Sequence, residues 1–187
     1  PGGVHRAWGP DLTTAWQTTR AVLEADADVP PLITGDLEGG AYSSGCGTPL
    51  PNALGLCAAD SLDLSAAVTG VLAQESRAMG FDWSFTPVVD INHKLESAIV
   101  GTRSFGSDPQ RILAQARVHV REMQAAGIAA TAKHWPGDGF DFRDQHLVTT
   151  VNPLDWDTWL ATFAPLYRTL IDDGVLSVMS AHIALPG

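Results

Sequence analysis

Between Lys133 and His146, fourteen positions hold His134, His146, Lys133, Arg143 and three carboxylates, Asp138, Asp141 and Asp144. Pro136, Gly137 and Gly139 break regular structure among them. Asp144 and His146 flank a single residue, so a carboxylate can orient an imidazole that gives and takes a proton near neutral pH. The same groups include metal-ligand types. Their spacing matches neither HExxH nor an Asp-rich calcium loop, so no metal and no other cofactor is expected. Lys133 is costly to bury without a partner, which points it toward a polar cavity. Adjacent strand residues face opposite ways, so Lys133 and His134 need not meet one ligand. For His134 a core histidine bonded to backbone is the plainer alternative.

These groups follow an apolar run, 127–132, that reads as a buried strand. In α/β proteins ligands bind beyond the carboxyl ends of strands, where such a loop would lie. Other polar residues take similar places. Asp36 stands where the segment 31–35 meets the turn Leu37-Glu38-Gly39-Gly40, either accepting from ligand hydroxyls or capping the turn. Asp90 ends the strand pattern 81–89, and His182 follows 175–180. Arg103 lies in the loop before a helix. It could offer a fork of donors to a ligand oxygen, or form a structural salt bridge to Asp90 or Glu96.

Helical stripes over 11–26, 61–79, 108–126 and 155–173 separate these segments, the last expected in two pieces because Pro165 interrupts it. Asp108-Pro109 is a cap followed by proline at the first helical position, and Gly127 closes that helix. A Gly-, Ser- and Pro-rich loop is expected from about 41 to 58. With a weak opening strand at 3–5, five strands alternate with four helices, which implies a parallel sheet with right-handed crossovers. No GxGxxG and no GxxxxGK[ST] is present, so nucleotide-binding versions lose support. Polar residues at successive strand ends suit a TIM-type (β/α)8 barrel, incomplete here because such barrels take about 250 residues. Residues 1–187 are read as one partial barrel domain.

The chain has 187 residues, 45% hydrophobic and 17% charged, and a formal charge of -10. That composition fits a folded domain. Without a basic footprint no nucleic-acid partner is expected, and no apolar run is long enough to span a membrane. Cys46 and Cys57 read as free thiols, although a disulfide is feasible in an oxidising compartment. The compartment is left open, leaning to the cytoplasm. Both ends read as cut from a longer chain.

Six segments in order resemble glycoside hydrolase family 3, in particular its β-N-acetylglucosaminidase branch. They are Gly35-Asp36-Leu37-Glu38-Gly39-Gly40, Phe85-Thr86-Pro87-Val88-Val89-Asp90, residues 99–109 around Arg103-Ser104-Phe105, Lys133-His134-Trp135-Pro136-Gly137-Asp138-Gly139, Asp144-Gln145-His146 and Val178-Met179-Ser180-Ala181-His182. The resemblance implies a barrel enzyme that removes terminal β-linked N-acetylhexosamine with retention. It implies that Asp36, Arg103, Lys133 and His134 bind the sugar, and that Asp144 with His146 is the acid/base pair. Ala41 stands where the family often has Arg, Asp138 where many members have His, and Gln145 where many have Ser. The resemblance places the nucleophile on a strand beyond His182, so none is assigned here. Alternatives are a sugar-binding fragment without chemistry, a family β-glucosidase, or a phosphorylase, because a histidine acid/base does not repel an anionic acceptor.

Overall fold

The computed structural model describes residues 4–5, 10–25, 31–39 and 46–185. Its helices start where a side chain can accept an orphaned backbone N–H. Asp11 accepts from Thr14 N at 2.8 Å ahead of α1, Leu12–Ala25. Asn52 accepts from Gly55 N at 2.8 Å to open α2, Ala53–Ala58. Ser61, Asp108 and Asp155 do the same for α3, Leu62–Ala78, α4, Pro109–Ala125, and α5, Trp156–Asp172. α2 lies inside the stretch expected to be a loop; the Pro51-Asn52 start signal outweighs the surrounding glycines. α5 is one helix, not two. It buries Trp159, Phe163, Ala164, Leu166, Tyr167 and Leu170 on both sides of Pro165. That burial offsets the roughly 3 kcal/mol that an internal proline costs.

Three short strands, β1 (Val4–His5), β2 (Ile33–Gly35) and β3 (Trp83–Ser84), pair in parallel and in chain order. β4, Thr131–Trp135, pairs in parallel with β6, Ser177–Ser180. Bridges Trp83↔Ala129 and Val88↔Lys133 join the two sets, so five strands follow one another around a partial barrel. The strand expected over 81–89 keeps regular pairing only at Trp83–Ser84. Beyond it Pro87 has no N–H to donate, yet Thr131 N still bonds Thr86 O at 2.7 Å and Val89 N bonds Lys133 O at 2.8 Å. β4 starts later than the apolar run suggested and continues through Lys133 and His134, which belong to the strand itself. An additional pair, β5 (Thr150–Val151) and β7 (Ile183–Ala184), lies beyond the ends of β4 and β6.

Helices and sheet enclose Ile33, Val89, Ile91, Ile112, Met123, Ile128, Phe163 and Leu170, all buried. Cys57 is buried in α2 and Cys46 is partly buried, and no disulfide joins them. Among the described residues no helix is long and apolar enough to cross a membrane.

Candidate active site

Lys133 is 1% exposed, yet its ammonium is paired. Nζ donates to Asp36 Oδ1 at 2.8 Å and lies 2.5 Å from Glu38 Oε1. Arg103 is the last residue of a 3-10 turn, Gly101–Arg103, that swings it over the end of β2. Its Nε and Nη2 donate to the two Glu38 oxygens at 2.5 and 2.7 Å, and Nη1 donates to Ile99 O at 3.0 Å. The ion-pair partner of Arg103 is therefore Glu38, not Asp90 or Glu96. Two cations facing two carboxylates make a nearly neutral cluster, which lets Lys133 lie so deep. Burial alone would raise Glu38, but the Arg103 bonds and the Lys133 charge outweigh it and hold it at about 2. Among the described residues Asp36 Oδ2 has no partner, and the Asp36 side chain is 36% exposed.

His134 pairs with Asp90 rather than with backbone. Asp90 is fully buried and can only accept, so the 2.6 Å contact to Oδ2 places a proton on His134 Nδ1 and leaves Nε2 for a ligand. Asp90 Oδ1 accepts from His134 N at 3.2 Å and from Asp138 N at 2.7 Å. Lys133 and His134 thus both reach carboxylates at neighbouring strand ends, and the β4–β6 register shifts between Lys133 and Trp135.

The following loop is shaped by two glycines with positive φ. A Cβ on Gly137 (φ 123°) would strike the Phe163 ring, and one on Gly139 (φ 116°) would strike the Ile91 carbonyl oxygen. Asp141 accepts from Arg143 and, across the neck of the loop, from Val151 N at 3.1 Å, which keeps it well below the usual carboxylate range. Gln145 is buried. Its Nε2 donates to Asp138 Oδ2 at 3.0 Å, and its Oε1 accepts from His182 N at 3.2 Å. Asp138 is buried too, and burial, with the Asp90 charge second, pushes it up to about 6. Asp144 and His146 stand on the open side. Asp144 Oδ1 lies 2.7 Å from His146 Nδ1 and accepts from His146 N at 2.8 Å. Those two bonds, backbone first, lower Asp144, with a smaller contribution from Arg103. His146 remains 64% exposed, so its Nε2 is open to a substrate. Among the described residues no three His, Cys, Asp or Glu side chains cluster as metal ligands.

The family model described as the glycosyl hydrolase family 3 N terminal domain matches residues 10–187. The chain belongs to glycosyl hydrolase family 3. A relative from Cellulomonas fimi, named beta-N-acetylglucosaminidase/beta-glucosidase, is 42% identical over 169 residues, 90% of this chain and 30% of that protein. The structure of a beta-glucoside phosphorylase, BglX, superposes with a TM-score of 0.93 at 36% identity, covering 100% of this chain and 34% of the other. A family 3 beta-N-acetylglucosaminidase from Paenibacillus sp. str. FPU-7 superposes at 0.84 with 30% identity, covering 94% and 34%. The chain spans about a third of the length of these relatives. The five consecutive strands are part of the family 3 barrel.

Asp36, Arg103 and Lys133 form one bonded cluster with Glu38 at the strand carboxyl ends, His134 is held separately by Asp90, and Asp144 and His146 are paired. Sequence reasoning noted Asp90 as a strand-end residue and Asp138 among the loop carboxylates but assigned neither a partner, and it gave Glu38 and Gln145 no role in the site. For Glu38 the available signal was its place in the turn after a short apolar strand. The Ala41 substitution lies outside the described residues.

Proposed function

We propose that residues 1–187 form the amino-terminal part of the catalytic barrel of a retaining β-glycosidase acting on terminal β-linked N-acetylhexosamine. The observation that carries this reading is the Asp144–His146 pair, its imidazole open, on the same rim as the Asp36–Lys133–Glu38–Arg103 cluster. Asp36 Oδ2 accepts a sugar hydroxyl, while Lys133, Arg103 and His134 Nε2 orient the ring. Asp144 holds His146 Nδ1–H and so presents Nε2. In the first step the protonated His146 gives its Nε2 proton to the glycosidic oxygen as the bond to the sugar breaks. In the second, the neutral ring removes a proton from the acceptor. Asp144 offsets the imidazolium charge present before the first step and restored after the second. No residue of this chain is assigned as nucleophile.

The test uses the full-length protein that contains this chain and two β-N-acetylglucosaminides, one with an activated phenolic leaving group and one with an alkyl leaving group. His146→Ala should depress kcat/KM on the alkyl glycoside by about 10²–10⁴-fold and on the activated one far less. Equal losses on both would make His146 a binding residue. Sugar binding without any turnover would leave only the binding reading.

A second reading, phosphorolysis, is supported by the likeness to a beta-glucoside phosphorylase at a TM-score of 0.93. A neutral imidazole accepts a proton beside a phosphate without the repulsion a carboxylate would add. Release of sugar 1-phosphate rather than free sugar in phosphate buffer separates the two.

A further inference from the structure

Asp138 and Gln145 are both buried, and the two side chains are bonded to each other. Gln145 Nε2 donates to Asp138 Oδ2 at 3.0 Å, although seven positions separate them. The pair belongs to a longer series of bonds. Asp138 N donates to Asp90 Oδ1 at 2.7 Å, and His182 N donates to Gln145 Oε1 at 3.2 Å. These links join the ends of three successive strand segments, those ending at Asp90, at β4 and at β6. Gln145 is the only residue between Asp144 and His146, and it points inward while both neighbours stand on the open side.

Every atom in this series has a fixed polarity. His182 N can only donate, so it sets Oε1 of Gln145 as the acceptor and Nε2 as the donor. Asp138 must then present an acceptor, and Gly139 N already occupies its other oxygen at 2.7 Å. A buried carboxylate near a second carboxylate, Asp90, is an expensive way to close a loop. A purely structural brace is served as well by neutral or apolar side chains.

We propose that Asp138 and Gln145 are positioning residues that clamp the loop carrying Asp144 and His146 to the strand ends, so that the imidazole is delivered at a fixed distance from the bound sugar. The proposal rests on the reading of His146 as acid/base. Neither clamp residue touches substrate. Both act by holding the backbone, Asp138 ahead of the pair and Gln145 between its two members.

The fixed polarity makes the clamp testable by exchange. In the full-length protein that contains this chain, Gln145→Glu sets two carboxylates against each other, and Asp138→Asn sets an amide donor against the Gln145 amide donor. Both substitutions together restore one bond with its direction reversed. The amide introduced at position 138 then donates to the carboxylate introduced at position 145, whose other oxygen still accepts from His182 N. The readout is the ratio of kcat/KM for an alkyl glycoside to that for an activated phenolic glycoside. Each single variant should lower that ratio by about tenfold, a part of the ~10²–10⁴ that general acid catalysis supplies. The double variant should return it to within about threefold of the parent, as expected when coupled partners are exchanged together. Single variants that leave the ratio unchanged, or a double variant no better than the worse single, would overturn the clamp. His146→Ala measured alongside keeps the two ideas apart. If it shows the leaving-group dependence and the clamp variants do not, the clamp alone fails. If it shows none, the acid/base reading fails and the clamp's catalytic role goes with it.

Discussion

Glu38 receives Arg103 in a two-pronged pair, Nε at 2.5 Å and Nη2 at 2.7 Å, and the same carboxylate neutralises the buried ammonium of Lys133. One side chain thus holds both cations in place at the strand ends. Glu38→Gln should leave Lys133 with Asp36 alone and cost about 3 kcal/mol, typical of removing one partner from a buried pair. The same carboxylate has its folded pKa depressed from 4.5 to about 2. Its contribution is therefore fully present above about pH 4.5 and is lost as pH falls toward 2. Denaturant unfolding from pH 7 to pH 2 should show a steeper acid loss in the parent than in Glu38→Gln. Parallel curves would show that Glu38 adds nothing to the fold.

Asp138 has the opposite sign. Its folded pKa is raised to about 6 from 3.8, first by burial and then by Asp90. The protonated form is the favoured one in the fold. Its contribution is complete below about pH 3.8 and is lost as pH rises through 6. The shift corresponds to at most about 3 kcal/mol at 1.36 kcal/mol for each pH unit. A plot of the stability difference between the parent and Asp138→Asn should therefore tilt against the parent between pH 4 and pH 6.5 and be level above that. A flat difference across the range would show that Asp138 titrates as an ordinary exposed carboxylate.

What could be read from the chain was what local physics fixes. Asp108-Pro109 opens α4 and Gly127, with φ 80°, ends its turn, because caps and left-handed glycines act over three or four residues. Alternation implied parallel strands, and the polar residues at successive strand ends pointed to barrel order. Partnerships over long separations were not legible. Arg103 was weighed against Asp90 and Glu96, which lie nearer in sequence, but it binds Glu38 across 65 positions. His134 was allowed a backbone partner, whereas Asp90 reaches it across 44 positions. Pro165 was read as a break because its cost is local and the burial that outweighs it is not. Of the site, the charged types were visible, but the wiring that joins Asp138 to Gln145 was not.

Gly139 should be intolerant of any side chain. Its φ of 116° is one that L residues rarely adopt, and an added Cβ would collide with the Ile91 carbonyl oxygen, which is backbone and cannot rotate away. Gly139→Ala is expected to cost more than about 3 kcal/mol, at the severe end for one substitution. Gly127→Ala, also at positive φ but with open space around it, should cost about 1 kcal/mol. Thermal melts of the two variants side by side check the contrast, and similar melting points would mean that the loop relaxes around residue 139.

The acceptor in the second half-reaction can be read through the charge at position 146. An imidazole that has given up its proton is neutral when the acceptor arrives. A carboxylate in its place carries a negative charge that phosphate must approach, whereas water meets no such penalty. Two unit charges about 4 Å apart repel by between ~1 and ~4 kcal/mol from bulk water to a partly screened site. His146→Glu should therefore lower the ratio of sugar 1-phosphate to free sugar by about tenfold or more in phosphate buffer, even where total turnover of an activated glycoside survives. Raising the salt should narrow the effect, because the site is open and His146 is exposed. Product analysis of the full-length protein by ion-exchange chromatography gives the ratio directly. If the parent forms only free sugar at every phosphate concentration, the phosphorolysis reading is dead and hydrolysis stands. If sugar 1-phosphate forms and the ratio is unmoved by His146→Glu, the proton acceptor in that step is another residue.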